Sequence, residues 1–72
     1  MKIISINPQS NQPKYKQIVL SVEIAIAEKR LQRNDKLPSV NKVSLEFSIS
    51  RDTVLLAYEE LKKRGIIYAI LG

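Results

Sequence analysis

The chain of 72 residues has no cysteine, no histidine and no tryptophan, and only two glycines. Each absence removes a class of function. Without cysteine there is neither a disulfide framework nor a thiolate metal site. Without cysteine and histidine together, the usual zinc ligands and the usual nucleophile–base pairs are missing. Two glycines cannot supply a phosphate-cradling glycine loop, and no acid pair stands at catalytic spacing, so the reading is of a chain that is not an enzyme and holds no cofactor or metal. No apolar run approaches the ~18 residues of a membrane span. The start, Met1-Lys2-Ile3-Ile4-Ser5-Ile6, is too short for the apolar region of a signal peptide. A cytoplasmic location and no membrane partner are expected.

What remains has an ordinary globular composition, 44% hydrophobic and 26% charged. A chain of this length is one small domain. The formal net charge of +5 favours a polyanionic partner. That excess lies in the first half: residues 1–40 carry seven Lys/Arg against three Asp/Glu, residues 41–72 five against four. Charge alone therefore does not identify the partner.

Residues 1–12 read as a short extended arm ending in turn-like Asn7-Pro8-Gln9-Ser10-Asn11-Gln12. Pro13 opens a helical pattern that is expected to end near Arg30. Tyr15, Ile18, Val19, Val22 and Ile26 fall on one helical face. Leu20, Ile24, Ala27 and Leu31 form a second apolar stripe on the opposite side. Either the arm, through Ile3, Ile4 and Ile6, folds back over that stripe, or a second copy or a further domain covers it. Asn34 in the polar turn that follows tolerates a left-handed backbone. Ser39 is a good N-cap for a short helix over about Val40–Phe47, with Val43 and Phe47 one turn apart. Ser50 caps a third helix running to about Arg64, with Val54, Ala57, Tyr58 and Leu61 as its buried stripe. Lys62, Lys63 and Arg64 suit its negative end and read first as a solvated cluster. Glu59 and Glu60 read as solvated acids on a side that would repel a polyanion. Gly65 is a natural residue just past the helix, and Ile66–Leu71 has strand character before Gly72.

A short helix, a tight turn and a longer helix make a helix-turn-helix, whose second helix lies in the major groove with its first residues at the base edges. Helix N-termini hold phosphates through free N–H groups and the dipole. Ser39 and Ser50 would stand near phosphates, Arg51 and Asp52 nearest the bases. Plainer roles exist for the same residues: Arg51 as a solvated arginine, Asp52 as a first-turn acid favoured by the dipole, and Tyr15 and Tyr58 as core residues with hydroxyls at the surface. A three-helix core that binds another protein instead of DNA has the same outline. Steep salt dependence would mark DNA.

Four segments in this order resemble the GntR family of bacterial transcriptional regulators. Pro13-Lys14-Tyr15-Lys16-Gln17-Ile18 is similar to its opening helix, and Leu37-Pro38-Ser39 to its Leu-Pro-Ser lead into the second. Ser50-Arg51-Asp52-Thr53-Val54 resembles Ser-Arg-x-Thr-Val. Ala57-Tyr58-Glu59-Glu60-Leu61 with Gly65-Ile66-Ile67 resembles Ala-Tyr-x-x-Leu followed by Gly-x-Ile. The resemblance covers residues 13 to 72 and implies a mainly α, three-helix winged helix-turn-helix with a short C-terminal β-wing. It implies that Arg51 reads a base and that Thr53 and Ser39 hold phosphates. It also implies a wing whose turn begins at Gly72, so that the chain stops before the wing closes. A C-terminal dimerisation and small-molecule effector domain would lie outside these residues. The partners so implied are double-stranded DNA with a pseudo-palindromic operator, a second copy in a homodimer, and the effector. Three departures stand out. Asn41 replaces the family's usual arginine, Leu55 replaces a frequent basic residue, and Arg33-Asn34 replaces Pro-Gly, with Arg33 and Lys36 available to restore positive charge.

Overall fold

The computed structural model describes residues 3–32 and 35–67. Among these described residues three helices follow one another: α1 over Lys14–Ala27, α2 over Val40–Phe47 and α3 over Arg51–Lys63. No strand occurs among the described residues, and Ile66 and Ile67 are not in one. The remainder of the segment expected to be a strand, and Gly72, lie outside the described residues, as do Arg33 and Asn34.

The third helix is the shared partner, packing against both α1 and α2. Its stripe of Val54, Ala57, Tyr58 and Leu61 is the expected one and is fully buried. Ile18, Val19, Val22 and Ala25 meet it from α1, and Val40 and Val43 from α2. Tyr15, Ile26 and Phe47 pack at the edge of this core, half-buried. No buried side-chain polar atom among the described residues lacks a hydrogen bond.

Each helix ends in a reversal that turns the chain back onto its own last turn. In α3, Gly65 takes φ +73° and the N–H of Ile66 reaches the Leu61 carbonyl at 2.9 Å. This is the Schellman arrangement, in which a left-handed residue just past the helix lets the next N–H satisfy an orphan carbonyl. A Cβ at Gly65 would meet nothing within 4 Å, so the need for glycine there is conformational and not steric.

The same device ends α1 three residues earlier than its periodicity suggests. Lys29 adopts φ +62°, and the N–H groups of Arg30 and Leu31 bond the Ala25 carbonyl at 2.9 and 3.2 Å. The reversal carries Leu31 into the core, where it is 4% exposed, so Leu31 does not belong to an outward stripe. Leu20 and Ile24 do face outward, at 47% and 42% exposure.

The N-terminal arm lies elsewhere. The backbone N–H of Ser5 donates to Ser21 Oγ at 3.1 Å, and that hydroxyl donates to the Gln17 carbonyl at 2.7 Å. The N–H of Asn7 donates to Gln17 Oε1 at 2.7 Å. Ile4 enters the core, while Ile3 and Ile4 line a cleft with Pro38, Val43 and Phe47. The arm thus closes the α1–α2 side of the core and leaves Leu20 and Ile24 open.

Candidate nucleic-acid interface

Two helix starts make this site, and both are built the same way. Ser39 holds an extended backbone (φ −64°, ψ 156°) and its Oγ accepts the Lys42 N–H at 3.1 Å. Ser50 does the same (φ −68°, ψ 149°), its Oγ accepting the Thr53 N–H at 3.1 Å. The Ser39 and Ser50 carbonyls take the next N–H groups, of Val43 and Val54. In each helix that leaves two first-turn N–H groups, of Val40 and Asn41 and of Arg51 and Asp52, without a helical partner. Free N–H groups at the positive end of a helix dipole suit an anion.

The turn between the helices is short and is hydrogen-bonded back onto α2. Ser48 takes φ 55°, the Ile49 N–H bonds the Ser44 carbonyl at 3.1 Å, and Ser44 Oγ donates to the Ile49 carbonyl at 2.6 Å. Ile49 is buried between two exposed serines, so the turn is anchored by one side chain.

The relation of the two helix starts rests on a residue that sequence reasoning treats as core with a surface hydroxyl. Tyr58 is 1% exposed, and its hydroxyl donates to the Pro38 carbonyl at 2.6 Å. The hydroxyl is inside, not at the surface. Burial pushes its pKa well above the ordinary 10, because the phenolate would be charged in an apolar setting. The bond ties the segment leading into α2 to the middle of α3, across 20 residues of sequence. Only that separation hides it: the Ala-Tyr pair marks the tyrosine as important, but not its partner.

Outward from this frame, Asn41, Ser50, Arg51 and Asp52 are exposed, while Ser39 and Thr53 are half-buried. Thr53 Oγ1 lies 2.7 Å from Ser50 Oγ, so these two hydroxyls form one unit. Lys36 is exposed in the segment before α2. Arg33 and Gly72 lie outside the described residues. At the far end of α3, Arg64 is engaged with carboxylates: its Nε meets Glu60 at 2.8 Å and its Nη1 meets Glu23 of α1 at 3.2 Å. The cluster at the end of α3 is therefore partly a clasp between α1 and α3, and Glu60 is half-buried instead of solvated.

A bracing helix, a three-residue turn and a longer helix presenting its first turn to solvent make a helix-turn-helix, the class of DNA-binding transcriptional regulators. The model of the bacterial regulatory proteins of the gntR family matches residues 14–72. The chain belongs to the GntR family.

Among similar proteins of Bacillus subtilis, the HTH-type transcriptional repressor YtrA is 34% identical over 70 residues, covering 97% of this chain and 54% of the relative. The HTH-type transcriptional repressor NagR is 36% identical over 69 residues, covering 96% of this chain and 28% of the relative. The uncharacterized HTH-type transcriptional regulator YydK is 36% identical over 59 residues, covering 82% of this chain and 25% of the relative. The chain thus spans between about a quarter and about half of the length of these relatives. No solved structure gives a significant match. No helix among the described residues is long and apolar enough to cross a membrane.

Proposed function

We infer that this chain is the sequence-reading module of a cytoplasmic repressor, with α3 in the major groove of double-stranded DNA. The observation that carries the reading is the pair of serine-capped helix starts fixed to one frame by the Tyr58–Pro38 bond. Two such starts suit two phosphates flanking a groove, with Arg51 and Asp52 between them at the base edges. Arg51 is assigned to a guanine O6/N7 pair, the commonest specific contact, and Asp52 to a cytosine N4. Ser39, Ser50 and Thr53 position the backbone, Asn41 bonds a phosphate or an adenine edge, and Lys36 and Arg33 add charge. That two similar proteins carry the name repressor supports the direction of regulation. A C-terminal domain would bind a small effector and a second copy, giving two recognition helices and a pseudo-palindromic operator.

The experiment is a binding-site selection from random duplexes with the full-length protein, followed by affinity measurements from low to high salt. A two-half-site sequence is expected, with log affinity falling linearly with log salt at a slope of several, ~0.9 per phosphate contacted. No selected sequence and a flat salt response would point to a protein partner instead.

A further inference from the structure

The outward side of α3 carries an unusual surface for a helix that faces a polyanion. Leu55 and Leu56 are exposed, at 36% and 50%. No lysine or arginine occurs on the helix between Arg51 and Lys62. Neither leucine belongs to the core, which α3 fills with Val54, Ala57, Tyr58 and Leu61.

The two leucines point to different sides. Arg51 and Leu55 are four residues apart and share one row of the helix. Leu55 is also three residues before Tyr58, whose hydroxyl reaches the segment leading to the Ser39 cap. Leu56 is four before Glu60, which pairs with Arg64 and through it with Glu23 of α1. Leu55 therefore extends the row that begins at Arg51 on the side of the α2 start, whereas Leu56 faces the α1 side. One turn beyond Leu55 stands Glu59, exposed and acidic, which sets the end of any surface that approaches phosphate.

We propose that Leu55 reads a thymine C5-methyl group, next to the base pair read by Arg51. The proposal rests on the major-groove reading of α3 given above. The groove edge of a base pair offers one apolar feature, the thymine methyl, and an exposed leucine can complement nothing else there. Specificity at that position comes from methyl burial, without a hydrogen bond or a charge.

The test uses the full-length protein and a duplex recovered by the selection described above. Each thymine is replaced in turn by deoxyuridine, which removes the methyl and leaves the pairing edge unchanged. The native protein is expected to lose about fourfold in affinity at one thymine per half-site, equivalent to the ~0.8 kcal/mol of one buried methyl. Leu55→Ala should show no such loss, and Leu56→Ala should keep it. An equal deoxyuridine penalty in Leu55→Ala and the native protein overturns the proposal, as does the absence of any thymine-specific penalty. A change of oligomeric state in Leu55→Ala, with no thymine-specific penalty in the native protein, would make this side chain a protein contact. Failure to select any sequence would overturn the major-groove reading itself, and this proposal with it.

Discussion

The two faces of α3 follow different rules within the same 13 residues. The inner face is apolar, closed and satisfied: four buried side chains, one hydroxyl, and that hydroxyl bonded to the Pro38 carbonyl. The outer face holds Arg51, Asp52, Leu55 and Leu56, all exposed and none belonging to the core. Substitutions inside should thus be measured in stability and substitutions outside in recognition. The comparison also shows how a domain this small keeps its two helix starts in register. Tyr58 belongs to the inner face by burial, yet it bonds the lead-in to α2, so core packing and site geometry share a residue.

The sharpest way to break the contrast is to empty the inner face. Tyr58→Ala should cost ~3–5 kcal/mol, enough to unfold a domain of this size, because it combines a cavity with an orphaned carbonyl. A thermal melt followed by circular dichroism measures it, and a melting point near that of the native protein would show that the tyrosine is not a core residue.

Tyr58→Phe isolates the hydroxyl. It leaves the ring in place and the Pro38 carbonyl without its partner, at a cost of ~1–3 kcal/mol. Its pH dependence carries a definite sign. The folded phenol has its pKa raised above 10, so it contributes fully at pH below 10 and progressively less as the pH rises beyond that value. Stability of the native protein should therefore fall relative to Tyr58→Phe above pH 10. Parallel stability curves across that range would show a hydroxyl open to water.

The caps stand between the two faces. Ser39→Ala and Ser50→Ala should each lower stability by ~1 kcal/mol and weaken binding to specific and random DNA alike. A loss confined to specific DNA would move the serine from positioning to base reading. The smallest effect belongs to the outer face: Leu55→Ala should change stability by no more than ~0.5 kcal/mol. A larger drop in the melt would place Leu55 in the core.

The contrast also separates what local sequence reveals from what it conceals. The bounds of α2, the two serine caps and the stripe of α3 are legible because each depends on residues within four positions of one another. The end of α1 is not. It turns on Lys29 in a left-handed conformation, which neither glycine nor asparagine announces, and Leu31 follows it inward. The place of the arm is equally hidden, since Ser5 and Ser21 meet across 16 residues and nothing in either marks the other. At the site, the order of the motifs singles out the serines and Arg51 as candidates, and the structure places the serines as helix caps and Arg51 in the exposed first turn of α3. The bond that holds their helices together joins Tyr58 to a backbone carbonyl, an acceptor that every residue possesses.

The central claim is that the outer start of α3 reads sequence, and Arg51 tests it most directly. The affinity of full-length native protein and of Arg51→Ala is measured on the selected site and on random duplex at one salt concentration. Arg51→Ala should lose ~1–3 kcal/mol on the selected site, relax preference at one guanine–cytosine pair, and melt like the native protein. An equal loss on selected and random DNA, or an unchanged preference at every position, would contradict the claim and reduce Arg51 to a phosphate contact or a solvated side chain.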